Sequence, residues 1–371
     1  MMSARFLTVV LERAFNMRDG FGREIDYMRI SVIDSCNLNC YYCNPCDNNE
    51  HCHALNILSV KEVLCIVRAA TRLGIKHFRL TGGEPLLHPQ LDEMVLQIKK
   101  IPGVSSVSLT TNAVLLAQHA KWLKEAGIDS INVSLDTIDA SEYERITKKP
   151  LLEEVKHGIN AAIECGIRVK INVVLTPQTD VVALTRYVAK KGTDIRFIEM
   201  MPVGEGHTNG VEPYKKVIGT LSKLYGEPCR INTEKTKEIN SGNDKRKIPD
   251  NGPAEYYIFP ELGIRVGLIQ AIHGKFCDTC NRIRVTADGR LMPCLGSSVT
   301  MDLVPDSCEF TDDLEKDFAI VRALRAAIKA KPRCHNFNDN AVTYTKTTET
   351  KTTEIEAAEV NAARNMSRIG G

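Results

Sequence analysis

Five cysteines lie within the seventeen residues from Cys36 to Cys52, in the stretch DSCNLNCYYCNPCDNNEHC. Cys36, Cys40 and Cys43 form C-x3-C-x2-C directly after YMRISVI, an alternating apolar run that reads as a strand. Thiols gathered at a strand end are suited to holding a metal or a cluster. A structural zinc site closes with four protein ligands, often as two C-x2-C pairs. A compact loop with three thiolates instead wraps one corner of a four-iron cubane and leaves one iron unclaimed. That iron can take a small ligand through an amine and a carboxylate. Cys46 and Cys52 follow in a polar run beside Pro45 and read as loop positions.

A second set sits in FCDTCNRIRVTADGRLMPCLG, where Cys277, Cys280 and Cys294 are spaced C-x2-C-x13-C. The segment RIRVTADGRLMPC reads as a hairpin with Asp288-Gly289 at its turn, which returns Cys294 to the first pair. Three ligands and one vacancy recur, unless the more distant Cys308 or Cys334 fills it. Zinc is the stronger competitor here, because C-x2-C with a later cysteine also suits a zinc ribbon. Cys65, Cys165 and Cys229 stand apart in helical or loop contexts and read as small hydrophobes.

The elements that must position these groups alternate between strand and amphipathic helix from residue 27 to about 225. Strands are expected at 27–33, 76–81, 104–111, 129–136, 168–175 and 194–201. Helical patterns such as VKEVLCIVRAATRLG and HPQLDEMVLQIKKI lie between them. Gly74, Gly127 and Gly166 stand where helices should stop. Parallel strands need crossover connections, so the pattern implies a parallel sheet, open or curved into a partial barrel. Its ligands belong at the C-terminal strand ends, where CNLNCYYC, GGEP (82–85), Asn112-Ala113 and Asp136 all fall. Residues 235–253 read as a linker. Beyond it come strands in AEYYIF and IRVGLIQ, the second cysteine set and a helix near 311–331. From about residue 338 a Thr/Lys/Glu-rich tail reads as mobile.

Composition sets outer bounds. The 371 residues carry 43% hydrophobic and 25% charged residues, ordinary for a soluble protein. A net charge of +2 gives no reason to expect nucleic acid or a membrane as partner. The N-terminus lacks a signal-peptide pattern, and no apolar run approaches the ~18 residues a bilayer needs. A cytoplasmic location is expected. Thirteen cysteines is an odd number, and stable disulfides are disfavoured in a reducing compartment. The chain has no G-x4-G-K-[ST] loop, and GEGHTNG has its last glycine one residue late for a dinucleotide fingerprint. Anionic substrate groups would have to meet basic residues on the strand-end edge: Arg29, Arg79, Lys170, Arg282 and Arg284. Arg282 and Arg284 alternate along one strand and so point the same way.

C-x3-C-x2-C after the first strand, with Tyr42 before its last cysteine, and GGEP after the second resemble the radical S-adenosylmethionine superfamily. CNRIR, FRLTGGEPLL and a terminal MSRIGG narrow the resemblance to the GTP 3′,8-cyclase family, over roughly residues 20–335 and the last half-dozen. The resemblance implies an α/β fold, a partial (βα)6 barrel with a C-terminal β-rich extension carrying a second cluster. It divides the chain at 1–226, 227–337 and a tail 338–371. It implies two [4Fe–4S] clusters, on Cys36, Cys40 and Cys43 and on Cys277, Cys280 and Cys294, with S-adenosylmethionine near Tyr42, Gly83, Ser134 and Met201. GTP would meet Arg29, Arg79, Thr110, Lys170, Arg282, Ile283 and Arg284. Catalytic roles would fall on the first three cysteines, Arg282, Arg284 and the terminal Gly370 and Gly371. An electron donor such as flavodoxin or ferredoxin is implied. Cyclic pyranopterin monophosphate synthase would follow in the pathway, and a homodimer is compatible. His77, Asn44 and Ala113 depart from the family pattern, as does the loop 46–53. A peptide-modifying radical enzyme and a non-catalytic zinc or iron–sulfur scaffold are the competing functions.

Overall fold

Alternation within each strand determines the architecture. The computed structural model describes residues 17–43, 56–203, 210–231, 252–297, 299–303, 313–335 and 337. Six strands, β1 (Tyr27–Ser31), β2 (His77–Thr81), β3 (Ser106–Thr111), β4 (Ser130–Ser134), β5 (Val169–Val174) and β6 (Asp194–Ile198), run parallel in sequence order. Helices α1 (Val60–Arg72), α2 (Leu91–Lys99), α3 (Leu116–Glu125), α4 (Ala140–Thr147), α5 (Leu152–Glu164) and α6 (Val181–Lys190) connect them, two of these between β4 and β5. Gly74, Gly127 and Gly166 end α1, α3 and α5 with φ of 84°, 88° and 68°, the left-handed conformation expected of them.

The C-terminal part extends this sheet on both sides. It supplies α7 (Gly219–Tyr225), β7 (Cys229–Arg230), β8 (Glu255–Ile258), β9 (Arg265–Ile269), β10 (Arg282–Val285), β11 (Arg290–Met292), β12 (Met301–Asp302) and α8 (Asp313–Lys329). β9 joins β6 and β10 joins β1, both in parallel. β10 and β11 form the expected hairpin, with Gly289 at φ 77°. The result is an open, mixed sheet of twelve strands in the order β12-β11-β10-β1-β2-β3-β4-β5-β6-β9-β8-β7. Its parallel core therefore has eight strands where local periodicity predicts six. The two additional pairings join segments far apart in sequence, which local periodicity does not report.

Met28, Ile30, Phe78, Leu80, Val107, Leu109, Ile131, Val133, Ile171, Val173 and Phe197 are buried in one apolar core with residues of the helices. Parallel strands are usually apolar on both faces. Here the alternate positions carry Arg29, Arg79, Thr110, Asn132, Asn172 and Arg196, all of which line one cavity. Truncating Phe78 or Phe197, each fully buried, should cost about 3–5 kcal/mol. Among the described residues no helix is long and apolar enough to cross a membrane. Residues 235–251 of the expected linker 235–253, the tail from 338 and the loop holding Asn44, Cys46 and Cys52 lie outside the described residues.

Candidate active site

Cys36, Cys40 and Cys43 occupy the loop that leaves β1, and all three line the cavity. The loop closes on itself where the Cys43 amide donates to the Cys40 carbonyl at 2.9 Å. Asn39 and Tyr41 amides donate to Thr147 and Ile146 carbonyls, which ties it to the end of α4. GGEP supports it from below. Gly83 and Glu84 amides donate to the Ile33 and Ser35 carbonyls, both at 2.8 Å. A Cβ on Gly82 would lie 2.4 Å from the Ile33 carbonyl oxygen, and one on Gly83 would lie 2.2 Å from that of Ser35. The two glycines are thus required by backbone packing under the cysteine loop, with Gly83 also exposed to the cavity.

Acidic and neutral groups surround this set. Buried Glu84 accepts from Thr111 Oγ1 and the Asn112 amide, each at 2.7 Å. Burial still pushes its carboxyl up to about 7. Asn112 Nδ2 turns toward Cys36 Sγ at 3.7 Å. Asp136, after β4, accepts from the Tyr42 hydroxyl and from the Val174 amide at 2.8 Å, and burial holds it near 6. Without iron the thiols are held protonated. Burial, then Glu84, raises Cys36 to about 11, and burial, then Cys36, raises Cys43 to about 12. Cys40 is pushed up as well, by burial, Cys43 and Asp136.

Cys277, Cys280 and Cys294 line the far side of the same cavity. The Cys280 amide donates to the Cys277 carbonyl at 3.1 Å, and the β10–β11 hairpin returns Cys294 beside them. Two buried cations pin the surroundings. Arg23, held by Asp19, donates to the carbonyls of Cys277 at 2.7 Å, Arg333 at 2.9 Å and Pro332 at 2.6 Å. Lys331 Nζ donates to the carbonyls of Arg282 at 2.9 Å and Pro293 at 2.8 Å. Burial alone would raise the Cys280 thiol, but Arg282 and Lys331 outweigh it and bring it down to about 7. Cys334 is exposed and lies close enough to Cys277 to help raise its thiol, after burial and the other two cysteines. Cys65 is buried as expected, whereas Cys229 is exposed in the edge strand β7 rather than packed as a small hydrophobe in the core.

Between the two sets the strands present a layer of cations. Arg284, Arg29 and Arg79 are cross-strand neighbours, and Arg282 stands one inward step below Arg284. Burial, then Arg284, lowers Arg29 far below the usual guanidinium range, while burial and Arg282 bring Arg284 down to about 10. Burial alone would raise the Tyr27 hydroxyl, but Arg79 and Arg29 pull it lower. Crowded guanidiniums of this kind are stable opposite a polyanion. Arg282 Nε is buried without a hydrogen-bond acceptor among the described residues, and the guanidinium lies 4.9 Å over the Phe276 ring.

Most of the expected site residues meet here. Arg29, Arg79, Thr110, Arg282, Arg284, Tyr42, Gly83, Ser134, Met201 and all six cysteines line one cavity of about 330 Å³. Two do not reach it with their side chains. Ile283, between the two inward arginines, belongs to the apolar core on the other face. Lys170 is buried deeper, beside Asn132 and Asp194 in the cross-strand register. Gly370 and Gly371 lie outside the described residues. His77 also misses the cavity. Its ring pairs with Ser106 Oγ at 2.8 Å, and desolvation lowers it, so it supplies no phosphate-binding charge at neutral pH. Ala113 takes φ 65°, the conformation glycine would adopt more cheaply, while its methyl is fully buried. Arg196, whose Nε donates to Asn172 Oδ1 at 2.9 Å, lines the cavity but is absent from the expected set. The inward alternation of β6 was the signal that would have found it.

The donor sets fit two clusters that each keep one open iron. Each set brings three thiols to the cavity, and among the described residues no cation stands beside the first set to hold its thiolates. The chain matches the Radical SAM superfamily over residues 30–183 and Molybdenum Cofactor Synthesis C over residues 193–337. A curated GTP 3′,8-cyclase from Clostridium perfringens (strain SM101 / Type A) is 35% identical over 324 residues, covering 86% of this chain and 95% of that protein. One from Petrotoga mobilis is 35% identical over 331 residues, covering 87% and 96%. Streptococcus suis SuiB, crystallised with S-adenosylmethionine, shares the fold with a TM-score of 0.54 at 15% identity. The match covers 81% of this chain and spans 65% of that one. Cysteine spacing, the double cluster fit and these full-length relatives agree: the chain belongs to the GTP 3′,8-cyclase family of the radical S-adenosylmethionine superfamily.

Proposed function

We propose that this cavity cyclises GTP to (8S)-3′,8-cyclo-7,8-dihydroguanosine 5′-triphosphate, with S-adenosylmethionine held at one wall and the nucleotide at the other. The observation that carries this is one cavity bounded by two three-thiol sets, with a layer of arginines between them. When bound, the first cluster supplies the electron that splits S-adenosylmethionine and yields the 5′-deoxyadenosyl radical. The chain's own residues do the rest. Tyr42, Gly83, Ser134 and Met201 line the wall that takes S-adenosylmethionine, and the carboxyl of Asp136 holds the Tyr42 hydroxyl in place. Arg29, Arg79 and Arg284 face the triphosphate as fixed cations, with Thr110 within 3.5 Å of Arg79. Arg282, stacked on Phe276 beside the second set, orients the base. Arg196 and Asn172 extend this polar lining toward the ribose. Lys170 and Ile283 act from beneath, the latter through its backbone. Gly370 and Gly371 enter the mouth to hold the ribose radical, so their deletion should raise the ratio of 5′-deoxyadenosine to cyclised product.

Functionally the chain divides into a barrel at 1–226, an auxiliary-cluster part at 227–337 and a tail at 338–371. Flavodoxin or ferredoxin supplies electrons, cyclic pyranopterin monophosphate synthase takes the product, and the protein works in the cytoplasm as a monomer or homodimer. Iron and sulfide analysis of anaerobically purified protein tests the proposal, together with GTP-dependent formation of 5′-deoxyadenosine and cyclised nucleotide. About eight irons and a GTP-derived product are expected. One zinc and no iron would overturn it.

A further inference from the structure

The second cysteine set has a charged neighbour to which the proposed reaction assigns no role. Lys331 is 3% exposed and faces the cavity immediately after α8. Its ammonium donates to the Arg282 carbonyl at 2.9 Å and to the Pro293 carbonyl at 2.8 Å. Neither acceptor is a carboxylate. A buried ammonium without a carboxylate partner is costly unless another anion balances it. Cys280 and Cys294 share the cavity with it. The two acceptors also flank the ligands: Arg282 opens β10 two residues after Cys280, and Pro293 directly precedes Cys294. Arg23 fixes the chain just beyond, through the Pro332 and Arg333 carbonyls, so Lys331 has little freedom to withdraw.

We propose that Lys331 is a positioning residue that sets the reduction potential of the second cluster, by holding a positive charge against the backbone that carries its ligands, in a site shielded from solvent. This rests on the second set holding an iron–sulfur cluster. Hydrogen bonds to ligand sulfurs and nearby charge both tune such potentials. A cation beside the sulfur favours the reduced, more negative state and so raises the potential. Among the described residues the first set has no equivalent: its neighbours are Glu84 and Asp136, and its cysteine sulfurs accept from neutral groups. Lys331 therefore holds the second cluster the more easily reduced of the two. A reducing equivalent arriving at the cavity is then stabilised on the nucleotide side.

The test is an anaerobic redox titration of the holoenzyme followed by electron paramagnetic resonance. The two cluster signals are told apart by which responds to S-adenosylmethionine and which to GTP. Lys331→Met keeps the length and removes the charge. It should retain about eight irons. Its second-cluster reduction equilibrium should fall at least tenfold, about 59 mV for one electron, with the first unmoved. Lys331→Arg should recover most of that shift, which a purely structural role would not require. If the Met variant does not fold, Lys331→Gln is judged by the same criteria. An unchanged second-cluster potential at full iron content, or an equal shift of both clusters, overturns the proposal. A wild-type protein with only about four irons would instead overturn the assignment of the second site on which it rests.

Discussion

The two three-cysteine sets face one cavity yet sit in opposite electrostatic surroundings. Around Cys36, Cys40 and Cys43 the titratable neighbours are buried acids, Glu84 and Asp136, and all three thiols are pushed upward. Around Cys280 the neighbours are Arg282 and Lys331, and the thiol is pulled down to about 7. The same ligand triad has been placed once where positive charge is welcome and once where negative charge is. S-adenosylmethionine brings a sulfonium and an ammonium, whereas GTP brings a triphosphate. Under the proposed reading, S-adenosylmethionine would face the acidic wall and the triphosphate the arginine layer between the two sets, a division that spacing alone would not have distinguished. The likeness to SuiB extends only to the fold. The arginine layer at Arg29, Arg79 and Arg284 is the feature on which the proposed nucleotide site rests.

The largest effects should come from the ligands themselves, and they should differ between the sets. Cys40→Ser replaces a thiolate with a harder oxygen ligand and should abolish 5′-deoxyadenosine formation. Cys294→Ala should leave some S-adenosylmethionine cleavage but no cyclised product. Product analysis by chromatography on both variants checks the pair, and normal cyclisation by Cys294→Ala would erase the distinction. Gly83→Ala sharpens it without touching a ligand. The new Cβ would lie 2.2 Å from the Ser35 carbonyl oxygen, so the loop holding Cys36 must shift. Iron content should fall toward half, with the GTP-responsive cluster signal retained. Arg284→Ala comes next. Loss of one charge-assisted contact is worth about 1.5–3 kcal/mol, so GTP should bind roughly ten- to a hundredfold more weakly. Calorimetry should find S-adenosylmethionine affinity nearly unchanged.

How much of this was legible depended on the range of each signal. The six strands and both cysteine sets announce themselves locally, through alternation and spacing within ten or twenty residues. The pairing of β10 with β1 is a tertiary fact, and with it the meeting of Arg284, Arg29 and Arg79 in one register. Arg282 and Arg284 were readable as a shared face because strand alternation is local. The same rule places the Ile283 side chain in the apolar core, which leaves its backbone as the part that can face substrate. Arg196 was readable in principle, since it is the inward basic residue of β6, but no motif marked it. Arg23 and Lys331 were not readable. Their partners are main-chain carbonyls on distant segments, and carbonyls leave no mark in a sequence. Asp136 was visible as a strand end, but not as the partner of Tyr42.

The smallest expected effect is a pH dependence of the iron-free protein, with opposite slopes from the two regions. Glu84 in the folded state titrates near 7, against an ordinary value of 4.5, because burial outweighs its hydrogen bonds. Its folded form holds a proton that the unfolded chain releases above pH 4.5. Stability from this group is therefore fully present below 4.5 and is lost as pH rises to about 7. The upper bound is roughly 3 kcal/mol, at 1.36 kcal/mol per unit. Cys280 has the reverse sign. Its folded thiol titrates near 7 against 9.0, so its contribution is present above 9 and is lost as pH falls to about 7, again by at most roughly 3 kcal/mol. Unfolding midpoints of iron-free protein should thus fall between pH 5 and 7 and recover between 7 and 9. Glu84→Gln should lessen the acid limb alone, although its amide opposes the Asn112 N–H that Glu84 accepts and so lowers the whole curve. The part of that limb below about pH 6 should persist, because burial also raises Asp136 to about 6. Cys280→Ser should flatten the alkaline limb alone. If one variant flattened both limbs, the two regions would not be electrostatically separate, and the complementarity argued for the two substrates would lose its basis.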